Sequence, residues 1–461
     1  MQTRAFRFYP PVINITIFAF MVAGLLSANP LISTIALAVL ILLPRLTWLN
    51  GHPPVILLCL IFQWLQASTK ILQANILEQT LSFYNESQMA FNSVLYSLLG
   101  VVVLALGTHL IIRKTAHVNL FKANNIPINL NKAFRLFFIF FIASAGLSLM
   151  VFVVPGLTQI LLSVTYLKWV VYSLLFLTIL QRREKYPYLF IIFFIELLYN
   201  SLGFYSNFKE VLLVTFILMG TFVKKVAPIQ FLLGLIIVFV TFNMFTIWTG
   251  IKGDYRFFLL QDTEAGFTEK ISKISTLYDN FDDYEAAVEQ GLDRLSYTNM
   301  LMYCMETVPD EVPHEKGKLW ASAVSHVLMP RILFPTKRVL NDSEKANAYT
   351  GRSWTGVEKG TSISIGYVSE SYVDFGKFGM FIPIFILGLL VGLIYNFFLS
   401  ANYPPIILFS IVIPAIYFTK FNLLENSNDK LLGAMIMNFI VFSIFMRYGL
   451  KPILRYLQNG Q

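Results

Sequence analysis

Long apolar runs dominate this chain and leave little freedom over the environment it can fold in. Twelve occur, at about 11–28, 31–49, 54–72, 89–112, 134–154, 160–181, 187–205, 210–223, 228–249, 379–399, 404–420 and 431–448. Most approach the ~20 residues an α-helix needs to cross the hydrocarbon core of a bilayer. Charged residues make up only 13% of the 461 residues, against roughly 25% in soluble domains, and mean hydropathy is +0.65. So few charges cannot cover a water-soluble protein of this size, which excludes a soluble enzyme, a disordered chain and a collagen-like fibre. A membrane β-barrel would show short alternating segments instead. The expected fold is an all-α polytopic membrane protein of about twelve transmembrane helices. Residues 1–249 supply the first nine spans, 250–378 one large loop, and 379–461 the last three spans with the C-terminal segment.

The net charge of +9 invites a nucleic-acid reading, but its distribution follows the positive-inside rule. With the N-terminus inside, the cytoplasmic segments hold Arg4, Arg7, Arg45, Arg113, Lys114, Lys122, Lys132, Arg182, Arg183, Lys185, Lys224, Lys225, Arg447, Lys451 and Arg455. The short outer loops hold only Lys70, Lys209, Lys420 and Lys430, balanced by Glu78, Glu86, Glu210, Glu425 and Asp429. Both termini are therefore expected in the cytoplasm. By parity 250–378 lies outside, with 14 basic and 19 acidic residues, more than half of all charge in the chain. A loop of that length without a role would be unusual. Tyr284, Val288, Leu292, Leu295, Met302 and Met305 recur at helical spacing, and a second short helix is expected from Lys318 to Met329, ended by Pro330. The stretch from Phe334 to Gly360 reads as irregular backbone.

No Walker loop, His-Glu-x-x-His or paired Cys-x-x-Cys is present, and no Asp-x-Asp motif occurs in the loop. The five histidines are isolated, so no metal site is expected. Cys59 and Cys304 are the only cysteines and are not expected to pair. Chemistry is concentrated in two places. Cations gather near the outer surface: Lys209 opens the eighth span, Lys252 and Arg256 follow the ninth, and Arg331, Lys337 and Arg338 lie among prolines 330 and 335, which stiffen the segment. Held cations suit phosphate, guanidinium above all because its planar fork binds two oxygens. Glu370 and Asp374, spaced i,i+4 before the tenth span, share a helical face where a carboxylate binds a sugar hydroxyl or accepts its proton. For each group the plain alternative is a solvated surface charge near lipid. Within the membrane, Lys168 and Glu196 are costly unless they find each other.

The segment Pro330-Arg331-Ile332-Leu333-Phe334-Pro335-Thr336-Lys337 resembles a motif of bacterial Wzy-type O-antigen polymerases. So do the Asn207-Phe208-Lys209-Glu210 link and the Gly366–Gly379 approach to a late span, as does the plan of many spans with one large late outer loop. The resemblance implies a fold similar to GT-C membrane glycosyltransferases in a bacterial inner membrane. It implies that a growing glycan leaves its undecaprenyl pyrophosphate and is attacked by a hydroxyl of the next lipid-linked repeat unit, with no metal, nucleotide sugar or other cofactor. Arg331 and Arg256 would hold the pyrophosphate, helped by Lys209, Arg294, Lys337 and Arg338. Glu370 would be the base, with Asp374, Tyr367 and Tyr372 contacting sugar. The implied partners are the lipid-linked oligosaccharide, membrane lipid, a chain-length regulator and a flippase, with no nucleic acid. An O-antigen ligase, with the same donor, remains open. So does a transporter or flippase of lipid-linked sugars, although such proteins usually show two related halves.

Overall fold

The computed structural model describes residues 10–49, 52–113, 128–154, 157–202, 208–221, 228–262, 266–329, 334, 340–354, 362–399, 407–421 and 424–458. Among these the chain is 83% helix with no strand, so the protein is all-α. The first half comprises α1 (Pro10–Leu25), α2 (Pro30–Thr47), α3 (Val55–Ile76), α4 (Leu81–Tyr84), α5 (Ala90–Ile112), α6 (Leu130–Val153), α7 (Thr158–Thr165), α8 (Leu167–Arg182), α9 (Tyr186–Ser201) and α10 (Phe208–Gly220). The second comprises α11 (Pro228–Gln261), α12 (Phe267–Asp279), α13 (Tyr284–Leu295), α14 (Thr298–Thr307), α15 (Lys318–Leu328), α16 (Asp342–Thr350), α17 (Gly366–Gly379), α18 (Phe381–Leu399), α19 (Ile407–Tyr417), α20 (Asn428–Ile444) and α21 (Leu450–Gln458).

Eight helical stretches among the described residues are long and apolar enough to span a bilayer: Pro30–Thr47, Val55–Ile76, Ala90–Ile112, Leu130–Val151, Thr158–Arg182, Leu232–Gln261, Phe381–Leu399 and Asn428–Gln458. The protein is thus a multi-pass membrane protein. Four of the twelve expected spans coincide with shorter helices, namely α1, α9, α10 and α19. Three of these, α9, α10 and α19, have an expected span that runs into undescribed residues 203–207, 222–227 and 400–406.

Burial ranks the helices. From Leu167 to Ile179 every residue of α8 is buried, which makes it a central column. Helices α5 and α18 meet backbone to backbone: a Cβ on Gly107 would lie 2.5 Å from the carbonyl oxygen of Phe385, and one on Gly388 2.4 Å from that of Leu104. Small residues permit this approach, as is usual where apolar helices associate by packing alone. At the other extreme α11 is mostly exposed, with Leu232, Leu235, Ile236, Val238 and Phe239 facing outward. Both cysteines are buried and unpaired.

Three expectations about the large loop need correction. The ninth span does not stop at 249: α11 continues to Gln261, so Lys252 and Arg256 ride on a continuous helix. Gly250 does not break it because the glycine is a packing site, where a Cβ would meet the Phe281 ring at 2.2 Å. The single helix expected over 284–305 is two, α13 and α14. The break falls at Ser296 and Tyr297, where the Tyr297 backbone N–H donates to the Gln66 carbonyl and its hydroxyl to the Ser364 carbonyl. The segment from Phe334 to Gly360 is not wholly irregular, because it contains α16. Asn341 caps α16 by accepting from the Glu344 N–H at 3.3 Å, and Gly351 closes it at φ +63°.

Candidate functional site

Four cations converge from three helices. Lys209 comes from the first turn of α10, Lys252 and Arg256 from successive turns of one face of α11, and Arg294 from the last turn of α13. The pairing of α11 with α13 brings them together: the Gly291 position lies against the Phe245 ring, and Tyr284 Oη donates to Asn243 Oδ1 at 2.8 Å. Lys209 Nζ sits over the Phe245 ring at 5.4 Å from its centroid. Lys209 feels Arg294 and Arg256 as repulsion and Glu425 as attraction, and Lys252 feels Arg256, Lys209 and Arg294 as repulsion.

Nearby acids are largely committed elsewhere. Asp293, beside Arg294, pairs with Lys70 at 2.7 Å. Glu210, beside Lys209, accepts from Tyr166 Oη at 2.6 Å and lies in the field of Lys168. Among the described residues Glu425 and Glu210 attract Lys209, while Lys209, Lys252, Arg256 and Arg294 repel one another. Lys209 and Arg294 are exposed, while Lys252 and Arg256 are half-buried, so an anion can reach them. Like charges held this close repel one another, and a bound polyanion relieves that repulsion.

The second assembly is buried and of mixed sign. Glu370 of α17 has no exposed surface. One oxygen faces Lys345 Nζ of α16 at 3.4 Å, and the other accepts the Asn428 N–H at the start of α20 at 3.1 Å. Lys345 also pairs with Asp429. Lys430 pairs with Asp342 at 2.6 Å and donates to Ser362 Oγ at 3.1 Å. Burial pushes the Glu370 carboxyl up to about 7; Lys345 and the Asn428 amide oppose the rise, while Asp429 and Asp342 add to it. Burial works against the charge on Lys345, yet Glu370, Asp429 and Asp342 together hold its ammonium above the usual lysine value. A carboxyl near neutrality exchanges a proton readily at physiological pH.

Tyr297 and Glu425 stand between the two assemblies. Burial pushes the Tyr297 phenol up, and Glu425, Asp342 and Glu370 add to the shift. Burial also raises Glu425, against the pull of Lys209 from one assembly and Lys430 from the other. One carboxylate therefore answers to cations of both.

The sequence-predicted site residues divide. Lys209, Arg256 and Arg294 come together, joined by Lys252. Arg331, Lys337 and Arg338 lie outside the described residues. Glu370 and Asp374 do share a face of α17, but not at a water boundary. Both are buried, and they serve different neighbours. Asp374 accepts the N–H groups of Leu319 at 3.0 Å and Trp320 at 2.9 Å, which caps α15. Tyr372, expected against sugar, is buried, with its hydroxyl on the Val308 carbonyl at 2.8 Å. Tyr367 is likewise buried and donates to Gln63 Oε1 at 2.8 Å. Gly376, at φ +69°, kinks the end of α17 against His314.

In the bundle interior Lys168 and Glu196 do pair, at 2.7 Å, with Asn200 Nδ2 on the same Glu196 oxygen at 2.9 Å. Lys168 Nζ is 4.8 Å from the Trp169 ring centroid.

The family described as Domain of unknown function (DUF8712) matches residues 53–450. The chain belongs to that family. No curated protein and no solved structure matches it. The DUF8712 match begins just before α3 and runs to the first residue of α21, so it takes in both charged assemblies and the buried column α8. Sequence reasoning overlooked Asp342, Lys345, Asn428 and Asp429. For Asp342 alone a signal was present, in Asn341-Asp342-Ser343-Glu344, where a capping Asn is followed three residues later by Glu, a helix-start pattern.

Proposed function

We propose that this DUF8712 chain is a membrane glycosyltransferase that joins lipid-diphosphate-linked oligosaccharide repeat units. In this reading twelve helices span the membrane in a GT-C-like arrangement, both termini are cytoplasmic, and residues 250–378 face outward. The observation that carries it is the accessible cation cluster of Lys209, Lys252, Arg256 and Arg294, linked through Glu425 and Tyr297 to a buried carboxyl of near-neutral pKa, Glu370. The sequence resemblance to Wzy-type polymerases points the same way.

The chemistry follows from the charges. A sugar hydroxyl of the incoming unit gives its proton to Glu370 as its oxygen attacks the anomeric carbon of the donor. The bond from that carbon to the diphosphate oxygen breaks, and its electron pair leaves with the diphosphate. Negative charge grows on the leaving group, and Arg256, Lys252, Lys209 and Arg294 stabilise it without having to reorganise.

The test is reconstitution of the purified chain with a lipid-diphosphate oligosaccharide, followed by glycan length. The double variant Arg256→Ala/Arg294→Ala is expected to make no chains beyond the single unit. Unchanged chain lengths would remove the cluster from the mechanism. Sidedness is tested separately with Ser272→Cys, an exposed position on α12. Both native cysteines are buried, so labelling by an impermeant thiol reagent reports the new one. Labelling from the cytoplasmic side alone defeats the proposal.

A further inference from the structure

Four side-chain atoms in the buried assembly have no hydrogen-bond partner among the described residues: Asp342 Oδ1, Asp429 Oδ1, and both Oδ1 and Nδ2 of Asn428. Asn428 has no exposed surface, Asp342 is 1% exposed and Asp429 2%. Buried polar atoms in folded proteins are nearly always paired, because an unpaired one has lost water and gained nothing. Orphans scattered singly through a protein need little explanation, but here they fall on three residues tied to one another. Asn428 and Asp429 are adjacent, Asp342 accepts from Ser427 Oγ at 3.3 Å, and the Asn428 N–H holds Glu370.

We infer that Asp342, Asn428 and Asp429 form a hydroxyl-binding set that takes a sugar ring of the acceptor unit and presents it to Glu370. The inference rests on the glycosyltransferase reading and adds an acceptor subsite to it.

The atom types select the ligand. Three orphans are acceptors and one, the amide nitrogen, is a donor. A sugar hydroxyl both donates and accepts, so neighbouring hydroxyls match a carboxylate and an amide side by side. A cation suits the oxygens but not the amide N–H, and it would face Lys345 and Lys430 as well. An anion would face three carboxyl groups. The neutral polyol is the class that meets no like charge. Both lysines already occupy the other oxygens, Lys345 on Asp429 and Lys430 on Asp342. They hold the carboxylates in place and leave Oδ1 of each for a ligand.

Position agrees. The Asn428 backbone touches Glu370, so a hydroxyl held by its side chain lies next to the proton acceptor. Lys430, its side chain 44% exposed, and the exposed Ser362 stand between the set and solvent, so a sugar ring enters as these side chains swing aside. Across Glu425 and Tyr297 stand the cations of the donor cluster. An acceptor on one side of that pair and a diphosphate on the other is the arrangement a transfer requires.

The experiment uses the full chain in lipid nanodiscs and reads thermal melting with and without neutral hexose oligosaccharides of about two to six units. Asn428→Leu replaces the side chain by one of similar size without polar atoms and keeps the backbone bond to Glu370. The variant is expected to melt no lower than the parent, since it removes two unpaired atoms. The parent is expected to melt higher with at least one saccharide of the panel, and the variant to lose that response. A variant that melts several degrees lower, or fails to fold, shows Asn428 to be structural and overturns the inference. So does an equal saccharide response in both proteins. A parent that responds to no saccharide marks the site as hydrated only, and overturns it too. Asp342→Asn is an independent check: it keeps the shape but replaces an acceptor, and is expected to weaken the response about tenfold, with an undiminished response counting against the set. Arg256→Ala separates the two claims. It retains the saccharide response if the acceptor set is right, even where the donor role of the cations fails.

Discussion

The two charged assemblies solve opposite problems. At α10, α11 and α13 four cations lie in one another's field within reach of solvent, and among the described residues Glu425 and Glu210 attract Lys209. At α16, α17 and α20 three buried carboxyl groups are paired with two lysines, of which Lys430 is exposed, and the chain supplies almost all the counter-charge itself. An exposed excess of one sign contributes little to folding and is open to a counter-ion from outside. A buried balanced set is demanding of the fold, because removing one member strands the others in a medium that cannot solvate them. The first assembly is therefore expected to be lost functionally without structural harm, and the second to show the reverse wherever a lysine is removed.

Lys345→Met offers the sharpest way to break the contrast. It leaves Glu370 and Asp429 buried without their shared ammonium, and the expected cost is about 3–5 kcal/mol of stability, read as a large drop in melting temperature or loss of folded protein. A variant as stable as the parent would show that the assembly is not held by charge. Lys252→Met, by comparison, removes a cation that feels only repulsion from Arg256, Lys209 and Arg294 and should leave melting nearly unchanged.

If the cation cluster holds the diphosphate as proposed, it should respond in rate instead. Arg256→Ala is expected to slow transfer by about 10²–10³, the loss typical of removing one preorganised donor to developing charge, with melting unaffected. The lysine variant Arg256→Lys should recover part of that loss, because charge survives and the two-pronged contact does not. Full recovery would reduce the arginine to a point charge.

Glu370 links the two kinds of effect through pH. Its folded pKa, about 7, lies above the ordinary glutamate value of 4.5. Between these values the folded state holds a proton that the unfolded state has released. Its contribution to stability is full below about 4.5 and is lost as pH rises through about 7. A base must be deprotonated to act, so activity should rise over the range in which this contribution falls. Glu370→Gln does not titrate, and the difference in melting temperature between parent and variant should vary with pH across that window. A constant difference would show that Glu370 is ionised throughout. Glu425 and Asp374, also raised by burial, are common to both proteins and cancel in the difference.

What the sequence displayed, and what it hid, follows the same division. Apolar runs announce helices because the bilayer leaves a helix as the one way for a continuous run to satisfy its backbone, and every expected span has a helix among the described residues. Lys209 and Arg256 were legible because a cation just outside an apolar run is conspicuous. The Lys168–Glu196 pair was legible because each would be costly alone. Arg294 was singled out too, but its junction with α11 depends on a glycine against Phe245, which no spacing reveals. Lys345 and Asp429 were hidden because each looks like an ordinary surface charge. Only tertiary packing buries them, and periodicity within one helix is silent about which helix arrives to cover it.

Asp374 gives the smallest expected effect and the finest discrimination between the two roles proposed for a carboxylate on α17. Its spacing from Glu370 suggested a shared task at a sugar, whereas its oxygens are taken by the Leu319 and Trp320 amides at the start of α15. If capping is its whole role, Asp374→Asn keeps one of the two acceptors and turns an NH2 group toward the other backbone N–H, so it and Asp374→Ala should each cost about 1–2 kcal/mol. Neither substitution should change the saccharide response or the pH profile of transfer, since α15 is held at a separate point from Lys345 and Asn428. An Asp374→Asn variant of unchanged melting temperature but with transfer slowed as severely as in Glu370→Gln would return Asp374 to the reaction and make the two carboxylates partners after all.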